Sequence, residues 1–179
     1  GGISNRGFLY DQRGNLLKAL ENYHQSLKLY EKVSNRDGIS TALNNLGVLY
    51  SLIGDSTRAL EYHMKSLSVK KELNDTIGVA MSFNNIGTIH ENTGNTFLAL
   101  EYYESSLKLS LAIEDERGIA MSYDNIGDIY YRELVYGKAL EYYKKGLETW
   151  QKIEVDVGVS TAKNNLANVY LRTGQTEIA

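Results

Sequence analysis

Apolar and polar positions recur along this chain with the spacing of an α-helix, and the pattern is strong between residues 41 and 73. Leu43, Leu46, Gly47 and Tyr50 lie at positions i, i+3, i+4 and i+7, which form one face of a helix. The segment GDST that follows supplies a glycine stop and then capping residues. A second apolar helical face runs through Ala59, Leu60, His63, Leu67 and Leu73. The segment therefore predicts two helices joined by a tight turn.

The same pattern returns every 40 residues without an insertion or deletion. One column of this repeat contains Ala19, Ala59, Ala99, Ala139 and Ala179. Two glycine columns contain Gly7, Gly47, Gly87 and Gly127, and Gly38, Gly78, Gly118 and Gly158. Periods of roughly 20 to 50 residues indicate solenoids, in which each unit buries its apolar face against its neighbours. We predict an all-α fold, an α-solenoid of helix-turn-helix repeats in one array: a partial repeat 1–38, repeats 39–78, 79–118 and 119–158, and a partial repeat 159–179.

The turns between helices follow the same register. Residues expected to cap the first helix of the next repeat are Asn35, Asp75 and Asp115. The glycines expected to end the first helix of each repeat are Gly14, Gly54, Gly94 and Gly174. Leu134 interrupts this column, and because leucine disfavours the left-handed conformation, that helix is expected to run on or to turn differently. Leu134, Val135 and Tyr136 then form an exposed apolar patch suited to a partner, or they repack locally against the second helix.

Both ends of the chain fall inside a repeat, so we expect a fragment of a longer array. Without capping repeats, apolar residues near the C-terminus are expected to be partly uncovered, namely Leu166, Val169 and Tyr170. Fraying or end-to-end self-association through the truncated repeats would follow.

Composition narrows the classes of function. The chain has 179 residues and a net charge of −3, so no overall attraction to nucleic acid or to an anionic membrane is expected. It has no apolar run long enough to cross a membrane, and the absence of cysteine excludes disulfides and thiol catalysis and fits a cytoplasmic protein. Its three histidines lack metal-binding spacing, and no phosphate-binding or nucleophile motif occurs. We therefore expect neither an enzyme nor a cofactor.

The motif NNLGVLY followed by GDSTRALEYHMKSL resembles the tetratricopeptide repeat, with its Leu-Gly-x-x-Tyr on the first helix (helix A) and its alanine on the second (helix B). The resemblance covers the whole chain, because five copies agree in register. The period is longer than the usual length of about 34 residues, and the family's closing proline is absent. This longer form resembles the arrays of kinesin light chains, Pins-type polarity scaffolds and bacterial signalling proteins. The resemblance implies a right-handed superhelix in which helix A lines a concave groove.

Two neighbouring asparagines recur on helix A. On a helical wheel the second one points away from the core, and every copy has it, as Asn5, Asn45, Asn85, Asn125 and Asn165. An amide offers one acceptor and two donors, which match a peptide backbone. Matching asparagines contact bound peptide in several tetratricopeptide families, so this column is expected to hold an extended peptide. In the alternative, each amide bridges to the neighbouring helix A.

The first asparagine position varies, with Ser4, Asn44, Asn84, Asp124 and Asn164 in successive copies. A hydrogen bond between repeats explains this column as well as contact with a ligand does. The other residues expected at the groove, with Asn84 and Asp124, are Thr88, Glu91, Asp128 and Arg132. Asp124 and Asp128 lie at positions i and i+4, where they could receive a basic side chain of a ligand. The Lys and Arg clamp of chaperone-binding members is absent from helix A, so acidic chaperone tails are not expected ligands.

Aromatic residues of helix B are expected to serve packing. The tyrosine pairs recur at packing spacing, and His63 replaces a tyrosine of the repeat. Trp150 shares a variable column with Tyr30, Lys70 and Ser110, and it is expected to be partly exposed.

These observations predict a non-catalytic module that holds an extended peptide or protein segment in an Asn-lined groove. Such a module would serve as the sensor or interaction arm of a signalling or regulatory protein. The alternative is a structural scaffold that mediates self-assembly or intramolecular contacts without a ligand in its groove. Direct binding of nucleic acid or membrane is not expected.

Overall fold

A computed structural model describes the backbone of residues 2–174 and the side chains of residues 16–174. This part of the chain is built from α-helices joined by short turns. Its helices are α1 (Gly2–Lys32), α2 (Arg36–Ile53), α3 (Ser56–Glu72), α4 (Thr76–Asn92), α5 (Thr96–Ala112), α6 (Glu116–Arg132), α7 (Tyr136–Lys152) and α8 (Asp156–Thr173). Helices α2, α4, α6 and α8 are the A helices of the predicted repeats, and α3, α5 and α7 are B helices.

The helices divide into two compact units between Asp75 and Thr76. The first unit contains α1 to α3, and the second contains α4 to α8. In both units an A helix packs against the B helix that follows it, as α2 does on α3, α4 on α5 and α6 on α7. The predicted all-α class with helix-turn-helix repeats is confirmed.

The first helix departs from the repeat. Helix α1 continues through Gly14, where the glycine column predicts a turn. Leu16 and Leu17 follow this glycine, whereas Ser56 and Thr57 follow the corresponding turn of the next repeat. Asn15 keeps the capping position that Asp55 has in the next repeat, so the difference lies in the first turn, where leucine is a stronger helix former than serine or threonine. The continuous helix is therefore the locally favoured conformation of this segment.

In α2, α4 and α6, a glycine packs against a ring of the B helix that follows, at the same spacing in successive repeats. A Cβ atom placed on Gly87 would lie 2.7 Å from Cε1 of Tyr103, and one on Gly127 would lie 2.7 Å from Cδ1 of Tyr143. His63 takes the same place beneath the corresponding glycine of α2 and is buried, as expected for a histidine that replaces a tyrosine. The close approach needs glycine because the ring occupies the space of a side chain. Tyr103 and Tyr143 are therefore part of the core of their hairpins.

The turn after α6 contradicts one prediction. Helix α6 ends at Arg132, and Leu134 takes the left-handed conformation with φ of 61°, as Gly94 does with φ of 81° in the preceding repeat. The backbone hydrogen bonds correspond too: Val135 N–H donates to the Tyr130 carbonyl at 2.9 Å, and Asn95 N–H donates to the His90 carbonyl at 2.8 Å. The expectation that this helix runs on or turns differently was wrong, because packing of α7 on α6 imposes the common turn.

The exposed apolar patch predicted at this turn forms only in part. Leu134 is 68% exposed and Val135 is 44% exposed. Tyr136 packs against Tyr131, with ring centroids 5.8 Å apart, and joins the cluster between α7 and α8. Local packing therefore removes Tyr136 from the patch.

The end of the described chain also differs from expectation. Leu166 and Val169 were expected to be partly uncovered, but both are buried in a cluster with Ala139 and Tyr143 of α7. They lie on the face of α8 that meets the preceding B helix, so α7 covers them. Tyr170 is half-buried. Ala179, where the repeat places the next core position, lies outside the described residues.

Trp150 is buried, with 6% of its surface exposed, which contradicts the expected partial exposure. It lies near the end of α7, where the chain turns into α8, and its indole lies over Gly158. A glycine in the first turn of the A helix leaves room for the ring. The residue in the column of Tyr30, Lys70, Ser110 and Trp150 therefore determines which side chain lies over the glycine of the next A helix.

Candidate peptide-binding surface

Asn84 links two A helices of the second unit. It is 5% exposed, and its Nδ2 donates to Ser122 Oγ of α6 at 3.3 Å. Ser122 also lies 3.3 Å from Ser106 Oγ of α5, and Ser106 donates to the Ala80 carbonyl at 2.8 Å. Buried polar groups require such partners. Of the two roles left open for the first asparagine column, a hydrogen bond between repeats is the one observed at Asn84.

The second asparagine column is half-buried on each A helix. Asn125 Nδ2 donates to Asn84 Oδ1 at 3.2 Å, so at this position the amide bridges to the neighbouring A helix, as the alternative to peptide contact predicts. Asn85 and Asn165 are half-buried on α4 and α8. Asn45 is half-buried on α2 of the first unit. The side chain of Asn5 lies outside the described residues.

Thr88, Glu91 and Arg132 meet around the hydroxyl group of Tyr103. This hydroxyl lies 2.6 Å from Glu91 Oε2 and 3.2 Å from Thr88 Oγ1. Arg132 Nη2 lies 3.1 Å from Glu91 Oε1, and 61% of the arginine side chain is exposed. The structure thus brings together three residues that the sequence assigned to the groove. Burial and the bond to Glu91 raise the pKa of Tyr103, which stays neutral and donates.

Asp128 is held by a second tyrosine of the core. Tyr143 Oη donates to Asp128 Oδ1 at 2.6 Å. Burial raises the pKa of Asp128, whereas the bond from Tyr143 and the charge of Arg132 lower it, and the charge of Glu91 raises it. The net effect raises the pKa of Asp128, and Tyr143 fixes the orientation of this half-buried carboxyl group.

Asp124 of α6 is held by Trp150 of α7. Trp150 Nε1 donates to its Oδ2 at 2.7 Å, and its Oδ1 is buried without a hydrogen-bond partner. Gly146 makes room, since a Cβ atom there would lie 2.5 Å from Asp124 Oδ1. The preceding repeat has Ser106 in place of this glycine and Asn84 in place of the aspartate. Burial raises the pKa of Asp124 to about 6, against the lowering effect of Trp150.

A pocket of about 230 Å³ lies between α6 and α8. Its lining residues are Asp128, Tyr131, Arg132, Tyr143, Asn165 and Asn168. Three of these, Asp128, Arg132 and Asn165, were assigned to the groove from the sequence, and Asp124 is not among the lining residues. Sequence reasoning missed Asn168, although it shares a column with Thr88 and Asp128. The pocket thus places an acid, a guanidinium group and two amides within reach of one ligand.

Other kinds of site were sought in the described chain. No three acidic or histidine side chains between residues 16 and 174 are grouped so that they could hold a metal ion. None of the helices in the described range is long and apolar enough to span a membrane.

The fold and this surface define a class: a solenoid of helical hairpins whose A helices carry a column of polar side chains. The profile of the tetratricopeptide repeat family matches residues 3–72, 78–152 and 119–179. The chain belongs to the tetratricopeptide repeat family. A comparison with curated proteins gave no match.

Solved structures share the fold at low sequence identity. BtubC (BKLC) from P. vanneervenii is 22% identical with a TM-score of 0.80, and the match covers 94% of this chain and 70% of that one. A STAND signal-transduction ATPase with a tetratricopeptide repeat sensor, from Pyrococcus horikoshii, is 22% identical with a TM-score of 0.80 over 94% of this chain and 27% of that one. A Rap protein complexed with competence and sporulation factor is 19% identical with a TM-score of 0.81 over 97% of this chain and 49% of that one. The chain therefore spans less than half of the last two proteins.

Proposed function

We propose that the second unit binds an extended peptide or protein segment on its A-helix face, the face of α4, α6 and α8 that carries Asn85, Asn125 and Asn165. The observation that carries this proposal is the pocket in which Asp128, Arg132, Asn165 and Asn168 converge on one opening between α6 and α8. Tetratricopeptide repeats are protein-interaction modules, and the similar Rap protein was solved with a bound factor. A pocket with few fixed polar groups orients a ligand in the way that such modules require.

The chemistry of the pocket suggests what each residue contributes. The amides of Asn165 and Asn168 offer both donors and acceptors to a peptide backbone. Asp128, oriented by Tyr143, would accept a basic side chain of the ligand. Arg132, which is paired with Glu91, would repel a basic side chain of the ligand and so weaken its attraction to Asp128. Its guanidinium group would favour a ligand that also carries a hydrogen-bond acceptor.

We extend this proposal to the role of the parent protein. The array would be the sensor or interaction arm of a cytoplasmic signalling or regulatory protein. The tetratricopeptide sensor of the similar signal-transduction ATPase supports that role.

The test is selection of peptides from a library on the 179-residue chain, followed by measurement of their Kd by isothermal titration calorimetry. Asp128→Asn and Asn168→Ala should each weaken binding about tenfold, the effect of losing about 1.4 kcal/mol. The matched controls are Glu148→Gln and Lys144→Ala, at exposed positions of α7, which should bind as the wild type does. Equal affinity of all five proteins would show that the pocket is not the binding surface.

A structural scaffold is the second candidate, and one observation favours it. Asn84 and Asn125 use amide groups of the expected groove to bond neighbouring A helices. If the chain serves only as a scaffold, sedimentation analysis should show concentration-dependent self-association, and library selection should yield no peptide that depends on Asp128 or Asn168.

A further inference from the structure

In two copies of the repeat, one position holds an aromatic ring over a glycine. Near the end of each B helix, one column contains Tyr30, Lys70, Ser110 and Trp150. In the first unit the ring of Tyr30 lies over Gly38, and in the second unit the indole of Trp150 lies over Gly158. Both glycines stand in the first turn of the following A helix. The indole of Trp150 is buried, and its N–H has an acceptor in Asp124.

Ser110 leaves the corresponding position without a ring. A pocket of about 150 Å³ remains, bounded by the apolar side chains of Ile77, Ala80, Met81 and Met121 and with Ser110 and Gly118 in its lining. Ser110 is 0% exposed, and its Oγ has no hydrogen-bond partner. An orphaned buried hydroxyl in a native core calls for an explanation. A cavity of about 150 Å³ is large enough to bind benzene in an engineered protein.

We infer that this pocket is a binding subsite for a planar aromatic group with one hydrogen-bond donor, an indole or a phenol. The group would lie over Gly118, as the indole of Trp150 lies over Gly158. Asn84 occupies the position of Asp124 and lines the pocket. Its amide oxygen already accepts from Asn125, and a carbonyl oxygen has a second lone pair with which it would accept the donor of the ring. Ser110 Oγ would gain the partner it lacks if the donor is a phenol. Met81 and Met121 would contact the ring through their sulfur atoms, which favour aromatic neighbours.

The side chain of Asp115 occupies part of the space over Gly118, and a ring fills the equivalent space in two other copies of the repeat. Its carboxylate and the Ser110 hydroxyl are the groups that lie against Gly118, and it makes no side-chain bond to cap α6. At the equivalent position beside Tyr30, Asn35 Oδ1 accepts from Gly38 N–H at 3.0 Å. A ring over Gly118 would displace the Asp115 carboxylate towards the Gly118 N–H, which it would then cap.

The mouth of the pocket indicates where the ring comes from. Met81 and Met121 are 49% and 40% exposed, and they share the A-helix face with the asparagine column. A tryptophan or tyrosine of a peptide lying along that face would reach the pocket. This source of the ring rests on the proposed function, whereas the pocket itself can be tested with a free aromatic molecule.

The probe is 5-fluoroindole, and its binding to the whole chain is followed by ¹⁹F NMR. We expect saturable binding to one site in the wild type and in Ser110→Ala, which leaves the pocket open. Ser110→Trp supplies its own indole and should weaken binding at least tenfold, whereas Lys108→Trp, with a tryptophan added at an exposed position of the same helix, should not. Trp150→Ser opens the matching position over Gly158 and should gain a second site. Absence of saturable binding to the wild type, or undiminished binding to a folded Ser110→Trp, would overturn the inference. If Ser110→Trp does not fold, the second site in Trp150→Ser decides, and its absence overturns the inference.

Peptides distinguish the source of the ring. A short peptide blocked at both ends with one central tryptophan should displace 5-fluoroindole, and the same peptide with alanine should not. If neither peptide displaces 5-fluoroindole, the conclusion that the ring comes from a bound peptide is overturned. The proposed function fails by a different result, namely peptide affinity that is unchanged in Asp128→Asn and Asn168→Ala.

Discussion

Asp124 offers a sharp test of how the repeats are packed. Its Oδ2 accepts from Trp150, its Oδ1 has no partner, and burial raises its pKa to about 6. The ordinary pKa of an aspartate is 3.8, so the folded protein binds this proton more tightly than the unfolded chain does. The free energy of unfolding therefore falls as the pH rises from about 4 to about 6, because ionisation is easier in the unfolded chain. Asp124→Asn removes the ionisation and keeps an acceptor for the indole.

The size of the effect follows from the two pKa values. A tenfold difference in proton affinity corresponds to about 1.4 kcal/mol, so the change from 3.8 to about 6 corresponds to at most about 3 kcal/mol. Asn84 shows that the position accepts an asparagine in the preceding repeat. The measured quantity is the free energy of unfolding of Asp124→Asn minus that of the wild type. We expect this difference to be about 2 to 3 kcal/mol larger at pH 8 than at pH 4.

Urea unfolding of both proteins at pH 4, 6 and 8 measures this difference. Other titrating groups, among them His63, are present in both proteins and cancel in the comparison. Glu148→Gln on the exposed surface of α7 is the matched control, and its difference from the wild type should not vary with pH. A difference between Asp124→Asn and the wild type that is the same at pH 4 and pH 8 would refute the assigned burial of this carboxylate.

Three further predictions concern the fold. Burial lowers the pKa of His63 to about 4, from an ordinary 6.5, so stability is lost as the pH falls through that range; His63→Tyr should remove this loss, measured by urea unfolding at pH 4 and pH 7. Leu134→Gly relieves the strain of a leucine in the left-handed conformation. It should raise the free energy of unfolding by about 0.5 to 1 kcal/mol once the greater entropy of glycine in the unfolded chain is subtracted. A lower thermal midpoint than that of the wild type would contradict this prediction. Gly87→Ala forces a methyl group against the buried ring of Tyr103 and should cost about 1 to 3 kcal/mol, whereas the control Gly137→Ala, with no atom within 4 Å, should not destabilise the protein.

The fold could be predicted from the sequence because the repeat fixes the register of every helix. Gly87, Tyr103 and their equivalents recur at constant spacing, and each pair needs only its own hairpin to pack. The exceptions lie where local sequence and packing compete. After Gly14, leucines replace the serine and threonine of the first turn of the next helix, and α1 runs on. Leucine also replaces glycine at position 134, yet there the packing of α7 prevails.

The candidate surface could be predicted only in part, because a helical wheel gives the direction of a residue and not its partner. Asp124 and Asp128 lie at i and i+4, yet Trp150 holds the first and Tyr143 holds the second. The bond from Asn125 to Asn84 depends on side-chain rotamers across two helices. Such hydrogen bonds can be predicted only when the relative position of neighbouring helices is known, and the sequence of a single repeat does not give that position.

The measurement that tests the central proposal most directly is backbone amide NMR of the chain during titration with a library-selected peptide. If the A-helix face is the binding surface, the largest shift changes will fall on α6 and α8, around Asp128, Arg132, Asn165 and Asn168, and will saturate together. Saturating changes confined to the exposed surfaces of α5 and α7 would contradict the proposal.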